Sequence, residues 1–332
     1  MLRIRHGWVV ALLAVSAVTA CKKDDKSDIA AAVGGPGGAG ASAGKSSGDD
    51  LSLLPVDAEL VVGINVGQIQ QSALWKELAE PAIAKARDQH KMGKLNDVKE
   101  KCGFDPSTAI KSVAIGLKGF AAEKPDGVVV VHGLDKAKTI ACTDKMKDEI
   151  TADGSEITHD GDVTLVKNKQ GETVAVAFAN DSTMVMVIGA NANAAGVKTV
   201  LAGGSALKTS PAFVEMYGKV KTTDSVWLLG SGGLMDKASA IGAKPKGVFG
   251  SLNVTDGLAL DAALKFETPD AAAQVASKLK QQSQMAVTMV DKIDVTSEGD
   301  LAKISVVLSN QKLQALISQV GAMFGLGGMT GK

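Results

Sequence analysis

The sequence predicts an α+β protein with two similar halves, each an antiparallel sheet with helices packed on one face. Short strand-like runs are joined by hairpin signals such as Asp160-Gly161 and Glu298-Gly299-Asp300, which favour antiparallel neighbours. Stretches with helical periodicity separate these runs. The order strand, helix, strand, strand, helix, hairpin occurs over residues 59–167 and again over residues 225–308. This repetition predicts two related halves, either in one continuous sheet or in two separate sheets.

In the first half, folded structure is predicted to begin near Leu51. Ser72, Pro81 and Asp135 stand at the starts of helical stretches, where such residues cap a helix or begin its first turn. The Asp135 helix has its apolar positions at Ala137, Ile140, Ala141 and Met146. A further helix is predicted over residues 191–201. Runs rich in β-branched residues predict strands at residues 59–66, 112–118, 128–132, 156–158, 163–167, 173–178 and 184–188.

In the second half, Thr268-Pro269 provides an N-cap and a first-turn proline for a long amphipathic helix. Its apolar face is predicted to contain Val275, Leu279, Ala286 and Met289. A short helix is expected near residues 234–240 and a last helix over residues 310–324. The remaining runs predict strands at residues 225–229, 247–254, 258–267, 293–297 and 302–308.

The first 21 residues have the three parts of an export signal. Arg3 and Arg5 precede a short apolar run, and small residues then lead to Cys21; the apolar run is too short for a permanent span of about 20 residues. Val18-Thr19-Ala20-Cys21 resembles the lipobox of bacterial lipoproteins. This resemblance implies cleavage between Ala20 and Cys21, a diacylglyceryl group on the Cys21 thiol, and a fatty acid such as palmitate on the new amine. An ordinary cleaved signal with an unrelated cysteine, or an uncleaved anchor, is the alternative.

Lys22 follows the lipobox cysteine. In enteric bacteria an aspartate at this position retains a lipoprotein in the inner membrane, so the resemblance implies the outer membrane, with the body in the periplasm. Residues 22–50 have no apolar periodicity and are rich in charged residues, then in Gly, Ala and Ser, which predicts a flexible tether. The predicted domains are a signal peptide (1–20), the acylated cysteine with its tether (21–50), two α+β halves (51–204 and 205–325) and a frayed tail (326–332).

Composition argues against several classes of partner. The 332-residue chain has 36 basic and 36 acidic residues, and removal of Arg3 and Arg5 with the signal peptide leaves 34 − 36 = −2. This near-neutral charge gives no strong electrostatic basis for binding nucleic acid or acidic lipid. His90, His132 and His159 are isolated in sequence, so no metal site and no cofactor are predicted.

Cys102 and Cys142 are the two cysteines that remain after Cys21. An even pair in an exported protein predicts a disulfide. The alternative is two reduced, buried thiols.

No motif predicts a catalytic residue. Ser205 and Lys208, and again Ser277 and Lys280, have the S-x-x-K spacing of penicillin-interacting enzymes, but the partner motifs of those enzymes are absent. The Gly230–Gly233 run is interpreted as a tight turn, and Asp160 and Asp162 as solvated residues that flank a hairpin. Trp75 and Trp227 follow apolar periodicity and are predicted to lie in the core.

Leu54-Pro55-Val56-Asp57-Ala58 loosely resembles the start of the body in a class of Gram-negative envelope lipoproteins with no established activity. The sequence therefore favours a non-enzymatic, lipid-anchored envelope protein with a binding or structural role. Its expected partners are the membrane, through the lipid anchor, and an envelope protein or an amphiphile. The alternatives are an envelope hydrolase with an unfamiliar site, or a lipid carrier.

Overall fold

The computed structural model describes residues 50–88, 94–119, 125–152, 154–203, 206–241 and 243–323. Ala20, Cys21 and the predicted tether before Asp50 lie outside the described residues, as does the predicted tail. Among the residues described, no helix is both long enough and apolar enough to cross a membrane.

The described part of the chain contains twelve strands. They are β1 (Leu60–Ile64), β2 (Ser112–Lys118), β3 (Asp126–His132), β4 (Glu156–Asp160), β5 (Val163–Lys167), β6 (Thr173–Asn180), β7 (Thr183–Ile188), β8 (Val226–Ser231), β9 (Gly247–Asn253), β10 (Gly257–Lys265), β11 (Lys292–Glu298) and β12 (Leu301–Ser309).

Eleven α-helices are found in the same residues. They are α1 (Asp50–Leu53), α2 (Val66–Gln71), α3 (Glu80–Asp88), α4 (Lys94–Cys102), α5 (Pro106–Ala109), α6 (Lys136–Lys145), α7 (Lys147–Thr151), α8 (Ala194–Leu201), α9 (Pro211–Tyr217), α10 (Pro269–Ser283) and α11 (Asn310–Met323). A π-helical turn, Trp75–Ala79, leads into α3, and a 3₁₀ segment, Gly232–Ile241, follows β8.

The mixture of helices with antiparallel strands confirms the predicted α+β class. The chain divides into two compact units whose segments alternate along the sequence. The described part of unit 1 lies within residues 50–61 and 94–214, and that of unit 2 within residues 62–88 and 215–323.

In unit 1 the antiparallel strand order is β2-β3-β7-β6-β5-β4. Consecutive residues of the two central strands are buried, Val128–Val131 in β3 and Met184–Val187 in β7, so both faces of these strands are covered. Asp135 accepts the Lys138 backbone N–H at 2.8 Å and caps α6, as its sequence position predicts. The apolar face of α6 differs from the prediction, because Ile140 is exposed and Cys142 is buried with Met146.

In unit 2 the antiparallel order is β8-β9-β10-β12-β11. Helix α10 packs on one face of β11 and β12, where Ala272, Val275 and Ala276 are buried against Val295 and the inward residues of β12. Thr268 caps this helix by accepting the Ala271 N–H at 3.3 Å, as predicted. The helix ends at Ser283, however, so the prediction for Met289 is wrong: this side chain is exposed.

Candidate functional site

Two clusters of polar side chains, one in each unit, contain groups that could act in catalysis or binding. In unit 1, strands β2, β3 and β7 place Ser112, His132 and Thr183 side by side, because each is the cross-strand partner of the next. The His132 Nδ1 atom lies 3.0 Å from Thr183 Oγ1, and its Nε2 atom lies 2.6 Å from Asp50 Oδ1. A carboxylate, an imidazole and a hydroxyl are therefore connected in series.

This series has the order of groups found in hydrolytic triads. A neutral imidazole that donates its Nε2–H to Asp50 leaves Nδ1 free to accept the Thr183 hydroxyl proton. A nucleophile must also reach its substrate, and Thr183 is only 5% exposed. Asp50 is 2% exposed. The burial at both ends of the series favours a structural role, in which His132 holds the first described helix against β3 and β7.

In unit 2, a concave surface of about 280 Å³ lies on the face of the sheet opposite α10. Two cross-strand rows form its floor. The first row contains Ser251, Asp261, Ser305 and Asp294, and the second contains Phe249, Ala263, Lys303 and Thr296. The turn with Lys219 and Lys221, which follows α9, completes the lining. We call this lining the β9–β12 surface.

Ion pairs lie on the β9–β12 surface and at its margins. Lys221 pairs with Asp261, and Lys303 with Glu298. Glu215 accepts hydrogen bonds from Lys265 at 2.6 Å and from Lys219 at 3.0 Å. The surface therefore carries lysine and carboxylate side chains that are paired with each other.

The pKa values of two margin carboxyls reflect these contacts. The hydrogen bonds from Lys265 and then Lys219 lower the pKa of Glu215 below its ordinary value. The hydrogen bond from Lys303 does the same for the pKa of Glu298. Both carboxyls are exposed, so solvent screens these pairs and their effect on folding is small.

At one end of the first row, Asp224 joins the β9–β12 surface to the start of α2. Its carboxylate accepts the Ser251 hydroxyl at 2.6 Å and the Asn253 amide at 3.2 Å. The buried Asn65 side chain donates to the backbone carbonyls of Thr222 and Asp224. These hydrogen bonds order the loop before β8, and with it the adjoining edge of the surface.

Trp227 extends the first row of the β9–β12 surface, as the cross-strand partner of Ser251. It is 1% exposed and makes an edge-to-face contact with Tyr217 at 5.4 Å. This burial confirms the prediction that Trp227 belongs to the core. Trp75 is only partly buried.

The structure joins Cys102 and Cys142 in a disulfide between the end of α4 and the middle of α6, with their Cα atoms 5.1 Å apart. Around them Val98, Met146 and Ile150 are buried. The bridge thus links two helices across a small apolar core, and its two cysteines are 40 residues apart in sequence.

Most other candidate residues are not brought together. Ser205 and His90 lie outside the described residues, and Lys208, Ser277, Lys280, Asp160 and Asp162 are exposed. The Nδ1 atom of His159 lies 3.2 Å from Oγ1 of Thr164 on the neighbouring strand. Gly230 is close-packed, since a Cβ there would lie 2.7 Å from Leu234 Cδ2. Within the described residues, no group of three or more His, Cys, Asp or Glu side chains is arranged to hold a metal ion.

No local sequence pattern predicts the Asp50–His132–Thr183 series or the β9–β12 surface, because the members of each cluster are distant in sequence. The predicted tether extends to residue 50, whereas Asp50 is buried and begins α1. Compared with known proteins, the chain matches no protein family, no curated protein and no solved structure.

Proposed function

We propose that the protein is a lipid-anchored component of the bacterial cell envelope whose body binds a partner and catalyses no reaction. The observation that carries this proposal is the sequence Val18-Thr19-Ala20-Cys21, which resembles a lipobox and is followed by residues without apolar periodicity up to the first described helix. Two or more acyl chains on one cysteine hold a protein stably on a membrane. The disulfide between Cys102 and Cys142 supports export, because such bonds persist in oxidising compartments.

The β9–β12 surface is the binding region we propose. The lysines and aspartates of this surface can form ion pairs and hydrogen bonds with a polar partner, such as the surface of an envelope protein. An acyl chain would have to desolvate those charges, so the surface supports a protein partner better than it supports a lipid cargo.

Intact mass measurement tests the proposed lipid attachment and export. Protein extracted from its native membrane should have the mass of residues 21–332 with acyl groups on Cys21. Alkylation should modify Cys102 and Cys142 only after reduction. An unacylated mass with freely alkylated thiols would refute the proposal.

Charge reversal tests the binding region. Lys221→Glu should place two acids side by side at Asp261 and reduce the recovery of crosslinked envelope proteins. Lys244→Glu, which affects an exposed ion pair with Asp236 outside this surface, is the matched control. If both variants recover equal amounts of crosslinked envelope protein, the β9–β12 surface is not the binding region.

An envelope hydrolase is the second candidate function, and the Asp50–His132–Thr183 series is the observation that favours it. A screen with ester and amide substrates should find turnover that His132→Ala abolishes if this candidate is correct. The burial of Thr183 makes the binding role the better supported one.

We also propose that the two units descend from one repeated element. In unit 1, β2 and β3 are followed by α6, and the chain returns to pair β7 with β3. In unit 2, β9 and β10 are followed by α10, and the chain returns to pair β12 with β10. The hairpin β4–β5 is then the additional element of unit 1. Superposition of experimentally determined coordinates of the two units, with these strands matched, would test this relationship.

A further inference from the structure

Three large apolar side chains lie exposed within five residues, just after α10. Met285 is 80% exposed, Val287 50% and Met289 51%. We call residues 284–290 the Met285 turn. Single exposed apolar residues are ordinary, but a contiguous group indicates an interaction surface. Burial of such side chains away from water is favourable, so the turn is suited to an apolar environment.

The charge next to the Met285 turn is positive. From Ala271 to Val290 the sequence contains no acidic residue, and its two charged residues are Lys278 and Lys280, both exposed on α10. The next acid, Asp291, accepts the Ser309 backbone N–H at 2.5 Å and lies 3.4 Å from Lys312. Although the whole chain is nearly neutral, residues 271–290 therefore carry a net charge of +2, which is complementary to an anionic surface.

We propose that the Met285 turn docks on a bilayer that contains anionic phospholipid. Its apolar side chains enter the boundary between head groups and acyl chains, while Lys278 and Lys280 face the phosphates. This inference rests on the proposed function. As a random coil, the 28 residues from Lys22 to residue 49 would place the start of the body about 30 Å on average from a lipid on Cys21. At this distance a weak contact is sufficient because of its high effective concentration.

Vesicle sedimentation tests the docking without the anchor. The chain to use is the mature-length protein, residues 21–332, with Cys21→Ser, which carries no lipid. It should bind phosphatidylcholine vesicles that contain phosphatidylglycerol, and bind pure phosphatidylcholine vesicles more weakly. The combined variant Met285→Ser, Val287→Ser and Met289→Ser should weaken binding about ten-fold or more. Lys278→Gln and Lys280→Gln should each weaken it about five-fold.

A control replaces three exposed apolar side chains elsewhere. Val56, Ile140 and Val214 are 39%, 45% and 46% exposed and lie in unit 1. Their combined replacement by serine should leave vesicle binding unchanged. Thermal unfolding followed by circular dichroism should show that both triple variants are folded.

Two results would overturn the docking. The first is an absence of binding to the anionic vesicles, or equal binding by the wild-type chain and the Met285-turn variant. The second is dimerisation of the wild-type chain that the same variant abolishes, without vesicle binding, which would make the turn a contact between two copies. Since the tested chain has no acyl group, its result is independent of the mass measurement on Cys21.

Discussion

The Nε2 atom of His132 lies 2.6 Å from Oδ1 of Asp50, across 82 residues of sequence. The Asp50 side chain is 3% exposed and the His132 side chain 23% exposed. Asp50 is the first residue that the structure describes. This contact therefore holds the first described helix, α1, to the end of β3.

Asp50→Ala should lower the free energy of unfolding by about 2–3 kcal/mol, because it removes a charged acceptor from a largely buried hydrogen bond. Urea unfolding at neutral pH measures this change. The control is Asp57→Ala, which breaks an exposed 2.8 Å pair with Lys118 and should cost at most about 1 kcal/mol. Equal losses for the two variants would contradict the structural role of Asp50.

Much of the fold is determined by local signals and could be predicted. Asp135 and Thr268 cap their helices because each side chain bonds to a backbone N–H three residues ahead. Gly161 and Gly299 have φ values of 61° and 56° at the two hairpins that were predicted from their turn residues. A non-glycine residue rarely adopts this conformation, so such turns can be recognised from a few neighbouring residues.

The candidate sites depend on contacts between distant residues, which no local pattern encodes. Thr183 and Asp50 meet His132 because strand register and α1 bring them together. Met289 was assigned to the buried face of α10 by its spacing, yet the helix ends six residues before it. Helix α9, which was not predicted, is a single short helix that begins at Pro211, and a run of this length has too little periodicity to be distinguished from a loop.

Removal of the disulfide should destabilise unit 1. The bond closes a loop between residues that are 40 positions apart, which corresponds to about 4 kcal/mol in the chain-entropy account of crosslinks. The double variant Cys102→Ala and Cys142→Ala should therefore unfold at lower urea concentration than the oxidised wild-type protein. Treatment with reductant should move the wild-type transition toward that of the variant and leave the variant itself unchanged. A reductant-insensitive wild-type transition would contradict this prediction.

Gly63→Ala should be among the most damaging small substitutions in unit 2. An alanine Cβ would lie 2.1 Å from Trp227 Cε2, and this indole is 1% exposed. Overpacking of this kind should cost about 3 kcal/mol. Gly171→Ala is the control, because nothing lies within 4 Å of its Cβ position and only its φ of 80° opposes the change, at a cost of about 1 kcal/mol. Similar urea midpoints for the two variants would show that the Trp227 side chain can shift to accommodate the added methyl group.

The stability of unit 2 should depend on Asp291 in acid. The backbone N–H of Ser309 hydrogen-bonds the Asp291 carboxylate and lowers its pKa, and the charge of Lys312 acts in the same direction. A carboxyl whose pKa is lower in the folded state stabilises the protein above its unfolded pKa, and this stabilisation is lost as the pH falls through the folded pKa. Wild-type stability should therefore decline more steeply than that of Asp291→Asn between about pH 5 and pH 3, as measured by urea unfolding. Equal slopes for the wild type and Asp291→Asn would show that the Ser309 contact does not favour the ionised form.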